Sequence, residues 1–160
     1  MSIRNTVKAV ILQDGKILLN LCFREGMGEY YTLPGGGQLQ YESLEEALIR
    51  ECAEETGYCV HLVRFLALYE EIYSDINLRR RFPDYAHKCY HVFLCAAEKD
   101  APVLPSQPDL WQKESRWVEV LQLESLPIYP RAIGNCLGRL IAQEQPQFLG
   151  TVIHASEQPG

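Results

Sequence analysis

Glu51, Glu54 and Glu55 are the side chains whose types and spacing most directly imply chemistry. They fall within residues 33–58, a Gly-rich turn running into a helical pattern. At roughly 100° per residue, Leu44, Ala47 and Leu48 mark one arc of that helix, and the three glutamates continue the same arc one turn later. Carboxylates at i, i+3 and i+4 spacing repel one another unless positive charge sits among them. A hard divalent cation such as Mg²⁺ answers that repulsion with oxygen ligands, although spacing alone also fits a solvated acidic helix end. The helix macrodipole disfavours acids near a C-terminus, which makes the placement costly without a compensating cation.

Ser43 and Glu46 fit a capping box at the start of the helix, and Gly57 is placed to end it. Upstream, residues 6–12 and 16–23 are β-rich runs joined across Asp14-Gly15, a hairpin signal. Residues 24–30, with Gly26 and Gly28, read as a mobile loop before a short extended piece at 31–33. Residues 59–69 and 88–97 are strand candidates, with Arg79, Arg80 and Arg81 in a solvated loop between them. Residues 98–112 carry three prolines and read as irregular, and 116–120 as a short strand. Pro130 opens a second helix with apolar spacing at Ile133, Leu137, Leu140 and Ile141. Residues 148–154 suit an edge or partner-pairing strand, and 155–160 a flexible tail. The pattern predicts an α/β fold with a mixed sheet between helices.

With 160 residues and 47% hydrophobic composition, the chain has material for a single core. Its net charge of −6 argues against long nucleic acid and anionic membrane as partners. The absence of a leader pattern or a membrane-length apolar run leads to a cytoplasmic expectation. The six cysteines form no CxxC pair and read as reduced thiols.

Gly36, Glu42, Arg50-Glu51-Cys52-Ala53-Glu54-Glu55-Thr56-Gly57-Tyr58 follows the pattern G-x5-E-x7-R-E-U-x-E-E-x-G-U, where U is a bulky apolar residue. On these positions, and on the lead-in Tyr31-Thr32-Leu33-Pro34-Gly35-Gly36, the chain resembles the Nudix hydrolases of MutT type. Cys52 and Tyr58 depart mildly from the aliphatics common at the U positions.

The resemblance implies a Nudix domain over residues 1–154, with a mixed β-sheet in an α/β/α sandwich. It implies Mg²⁺- or Mn²⁺-dependent cleavage of the pyrophosphate linkage in a small nucleoside diphosphate derivative: a nucleoside triphosphate, a nucleotide sugar such as ADP-ribose, or a dinucleoside polyphosphate. It assigns the metal to Glu51, Glu54 and Glu55, the base to Glu54 or Glu51, and support to Gly36, Glu42, Arg50 and Gly57. Arg24, Gly35 and Gly36 are the substrate-binding candidates. Glu70, Glu71, Asp109 and Glu114 are candidates for a fourth acid. Tyr73, fifteen residues beyond Tyr58, lies near a position where a Tyr accompanies dinucleoside polyphosphate substrates. A homodimer is a further expectation, and the competing class is a non-catalytic Nudix-fold module that binds a nucleotide or a protein.

Overall fold

A computed structural model describes residues 3–98 and 102–157. Strands β1 (Arg4–Gln13) and β2 (Lys16–Arg24) meet across Asp14 and Gly15, both in the left-handed region, as a tight two-residue turn requires. The hairpin holds only at the turn, where Leu12 faces Ile17 and Gln13 faces Lys16, and then the strands splay apart. Beyond it, β2 pairs with β3 (Gly28–Thr32) on the side it shares with β1, while β6 (Gln112–Glu119) pairs antiparallel along its length.

The glycine run fills the edge that β2 leaves open on β1. Val7 N donates to Gly36 O and Ala9 N to Pro34 O, each at 2.9 Å, and Gln38 N donates to Asn5 O at 3.0 Å. On its other edge β1 runs parallel to β5 (His87–Ala97), which pairs antiparallel with β4 (Val60–Tyr73). With β7 (Ile128–Tyr129) and β8 (Gln147–His154), the order is β7-β3-β2-β1-β5-β4-β8, with β6 paired to β2 off that path.

Alternation along β1 divides its side chains between two layers. Val7, Ala9 and Ile11 meet Ala47, Leu48 and Cys52 of helix α1 (Leu44–Thr56). On the opposite face, Val10, Tyr69 and Val92 meet Ile133, Leu137 and Leu140. Those three belong to α3 (Arg131–Gly134) and α4 (Leu137–Ala142), so the molecule is the α/β/α sandwich that the pattern predicts.

Several boundaries differ from the sequence reading. Residues 28–30 belong to β3, because Arg24 and Gly28 are a cross-strand pair and the loop shrinks to a turn. The arginine run lies in helix α2 (Ile76–Arg81), capped by Asp75, whose carboxylate accepts from Asn77 N and Leu78 N. β4 continues to Tyr73 and β6 starts at Gln112, since pairing with β5 and β2 extends both beyond their own β-rich cores. The second helix is broken after Gly134, which lies so close to Ile128 that a Cβ would come within 2.6 Å of its carbonyl oxygen. Residues 99–101 of the proline-rich stretch and 158–160 of the terminal stretch lie outside the described residues. All six cysteines are free thiols.

Candidate active site

Both ends of α1 are fixed locally, which fixes the direction of its acids. Glu46 N donates to Ser43 Oγ at 3.1 Å and Ser43 N to Glu46 Oε2 at 2.8 Å, completing the capping box. Gly57 ends the helix at φ 74°, its N–H donating to Ala53 O at 3.0 Å. A Cβ there would lie 1.8 Å from Val103 O, so both backbone conformation and space demand glycine.

Glu55 is buried at 5% exposure and Glu51 and Glu54 are half-buried, so the apolar arc dips into the protein at its acidic end. Asn20 Nδ2 and Gly35 N donate to Glu55 Oε2 at 2.8 and 2.9 Å. Burial pushes the Glu55 carboxyl up to about 7, opposed by the charge of Lys8 and by the Gly35 hydrogen bond. Lys8 is itself buried and donates to Leu33 O at 3.2 Å and Gly35 O at 2.6 Å, so one cation secures both the glycine turn and the nearby acid.

Arg50 joins the remaining acids. It grips Glu42 with two hydrogen bonds, Nε to Oε1 at 2.7 Å and Nη2 to Oε2 at 3.0 Å. Its Nη1 donates to Glu51 Oε1 at 2.8 Å and Glu54 Oε2 at 3.1 Å, and Nη2 also reaches Gly37 O at 3.0 Å. The hydrogen bond to Glu42, followed by burial and then by the bonds to Glu51, sets the balance that raises the Arg50 pKa; the same Arg50 bond lowers that of Glu42.

The glycines serve different needs. Gly35 has φ 126° and passes so close to β1 that a Cβ would meet Val7 O at 2.2 Å. Gly36 does not have a positive φ; it leaves room for Glu51, whose Oε2 would be 2.4 Å from a Cβ there.

Glu51, Glu55 and the three glycines border a cleft of about 440 Å³. Arg4 and Lys8 from β1 and Lys88 from β5 contribute cations, and Phe82, Tyr85 and Trp111 contribute aromatic surface. Arg24 also borders it, with its guanidinium 5.7 Å from the Trp111 ring centre and Nη2 donating to Glu157 Oε1 at 2.6 Å. Glu54 joins the group through Arg50. Tyr73 reaches the cleft wall, whereas Arg79, Arg80 and Arg81 do not.

Among the four additional acids, Asp109 borders the cleft. Glu71 is buried against Lys88 Nζ at 2.9 Å and Tyr90 Oη at 2.8 Å, Glu114 pairs with Arg116, and Glu70 faces away with His87 and Thr151. Lys8, Asn20 and Gln112 escaped the sequence reading. Gln112 Nε2 donates to Glu55 O at 2.9 Å and Asn20 Oδ1 at 3.3 Å, and so links β6 to the acid. Their available signal was a polar residue at an inward position of an apolar strand, clearest at Lys8 and Asn20.

The NUDIX domain profile matches residues 3–134. The chain belongs to the NUDIX family. As a member that carries the complete motif, it is a Nudix pyrophosphohydrolase. A NUDIX hydrolase from Nitrosomonas europaea superposes with a TM-score of 0.70 at 19% identity, over 91% of this chain and 93% of that one. An ADP-ribose pyrophosphatase from Streptococcus suis gives 0.60 at 22% identity, over 94% and 100%. A MutT NUDIX hydrolase from Burkholderia pseudomallei gives 0.56 at 28% identity, over 75% and 85%. No protein of curated function gives a significant sequence match. Among the described residues, no helix is long and apolar enough to cross a membrane.

Proposed function

We propose that this Nudix hydrolase cleaves the pyrophosphate linkage of a small nucleoside diphosphate derivative, using Mg²⁺ or Mn²⁺ held by Glu51, Glu54 and Glu55. The observation that carries the reading is the convergence of Glu51 and Glu55 on one cleft beneath the glycine turn, with Arg50 tying Glu54 to Glu51. The donor set fits a hard cation, because it consists of carboxylate oxygens alone. The space beside Glu51 Oε2, which a side chain at Gly36 would fill, favours the same use. The bound ion supplies charge neutralisation at the phosphates and an activated water.

The chain's own residues supply the rest. Arg50 and Glu42 hold the acids in position. Glu54 or Glu51 accepts the proton of the attacking water, since Oε2 of Glu55 is already engaged by Asn20 and Gly35. Arg24, Arg4 and Lys8 meet phosphate charge, and the backbone at Gly35 and Gly36 permits its close approach. Asp109 is our choice for the fourth acid. Phe82, Tyr85 and Trp111 offer faces on which a base can stack. The cleft volume suits a compact ligand, so nucleoside triphosphates, nucleotide sugars and dinucleoside polyphosphates form the substrate class. We assign residues 1–154 to one domain, because β8 is an integral strand against β4.

The test is a panel of those compounds with Mg²⁺ and Mn²⁺ in ¹⁸O-labelled water, with products identified by mass spectrometry. The Glu54→Gln variant should keep its circular dichroism and melting temperature while turnover falls by at least about 100-fold. Undiminished hydrolysis in that variant removes Glu54 from the chemistry. No hydrolysis across the panel, together with no thermal shift from either ion, supports the non-catalytic alternative.

A further inference from the structure

A second cluster of metal-binding side chains lies on the other face of the sheet from the cleft. Along β5, Lys88 and Tyr90 turn into the cleft, while His87 and Cys89 alternate with them and point the other way. Glu70 of β4 is the cross-strand partner of Cys89, and Thr151 of β8 is the partner of Glu70 on its other side. Two strands thus deliver His87, Cys89 and Glu70 to one place, with one ligand atom of each within 4.8 Å of the others, and a third brings Thr151 beside them. All three are half-buried, leaving one side of the cluster open to solvent.

The geometry points to a binding site for a borderline-soft divalent metal ion of the Zn²⁺ class, ligated by His87 Nε2, Cys89 Sγ and Glu70 Oε1, with a fourth position open to water. The argument rests on the donor set as well as on proximity. Nitrogen, thiolate sulfur and a single carboxylate oxygen are the ligands that Zn²⁺ combines, whereas Mg²⁺ selects all-oxygen sites such as the Glu51, Glu54 and Glu55 cluster. A tetrahedral site places its ligand atoms roughly 3 to 4 Å apart. His87 Nε2 and Glu70 Oε1 are already 2.7 Å apart, so small torsions of these half-buried side chains complete the set.

The surroundings orient the carboxylate in advance. Thr151 Oγ1 donates to Glu70 Oε2 at 2.6 Å, leaving Oε1 directed at His87. On binding, the Cys89 thiol proton leaves to solvent as the metal–sulfur bond forms, and the proton that His87 Nε2 shares with Glu70 exchanges through solvent to Nδ1, so that the Nε2 lone pair and Glu70 Oε1 form the other two metal–ligand bonds. The ion would then cross-link β4 to β5 directly behind Lys88.

The site is tested by titrating the whole protein with Co²⁺ in excess Mg²⁺, which keeps the carboxylate cluster occupied. The expected result is a thiolate-to-cobalt charge-transfer absorption that saturates at one equivalent. It should be lost in Cys89→Ser and His87→Ala, but retained in Cys59→Ser and in the Glu51→Gln/Glu54→Gln double variant. Thr151→Val should weaken binding about tenfold, as loss of a residue that orients a ligand does. Zn²⁺ should displace Co²⁺ and raise the melting temperature of the native sequence while leaving that of Cys89→Ser unchanged. Absence of the absorption from the folded native protein overturns the site, as does its persistence in folded Cys89→Ser or its loss in Cys59→Ser.

Discussion

Arg50 is one guanidinium serving three carboxylates, and its planar fork is what allows this. The double hydrogen bond to Glu42 uses one edge, while Nη1 is shared by Glu51 and Glu54. Lysine keeps the charge but has no such fork, so Arg50→Lys should lower turnover roughly 10- to 100-fold, with weaker dependence on the divalent ion. Steady-state assays across a metal titration read both. Glu55 gives a second prediction, made for protein kept in EDTA. Its folded pKa of about 7 lies above the ordinary 4.5, so between those values the native state holds more protons than the unfolded chain and stability falls as pH rises. At about 1.4 kcal/mol per pH unit, that gap corresponds to about 3 kcal/mol, present below pH 4.5 and lost by pH 7. Urea unfolding at several pH values should show this slope, and Glu55→Gln should flatten it; equal slopes in both proteins refute it. At this scale the sequence was legible where partners are close in the chain, as with Arg50 and the glutamates. Lys8, Asn20 and Gln112 carry at most the signal of a polar residue in an apolar strand, and their convergence on Glu55 is not legible because three separate strands bring them there.

Helix α1 was the most legible element, since its caps are local chemistry. Ser43, Glu46 and Gly57 each act within a few residues of their positions, and all three form the expected contacts. Gly57→Ala should cost more than about 1 kcal/mol, because alanine resists φ 74° and its Cβ would strike Val103 O. Ser43→Ala should cost about 1 kcal/mol. Thermal melts separate the two, and a neutral Gly57→Ala would contradict the contact with Val103. The strands were less legible. The Asp14-Gly15 turn predicts a hairpin and is present, but nothing local signals that β1 and β2 part after two residue pairs. Pairing with β5 and with the glycine run decides that separation. Helix α2 was missed because three consecutive arginines resemble solvated loop, while the cap at Asp75 and packing against β4 settle the matter.

For the molecule as a whole, composition and motif led to the correct layer architecture, but strand order was beyond them. The parallel pairs β1 with β5, β3 with β7 and β4 with β8 join segments separated by long stretches of chain. β8 is the terminal strand of the sheet order and exposes Phe148 and Ile153. Among the described residues that edge carries no further strand, and because such an edge is a template for a second strand we propose a homodimer that joins two β8 edges. Sedimentation should give a dimer that Thr151→Pro converts to monomer; monomer alone in the native protein removes the expectation.

The early parting of β1 and β2 also bears on how the protein reaches its native state. The hairpin turn and α1 depend on near neighbours and can form quickly, but the cleft floor requires β1 to find β5 across much of the chain and residues 34–38 to close its other edge. Loop-closure entropy opposes those contacts until the distant strands meet. Helix α1 can therefore be complete well before the enzyme is, and the regain of activity during refolding should follow the protection of β5 amides, lagging behind the return of helical signal.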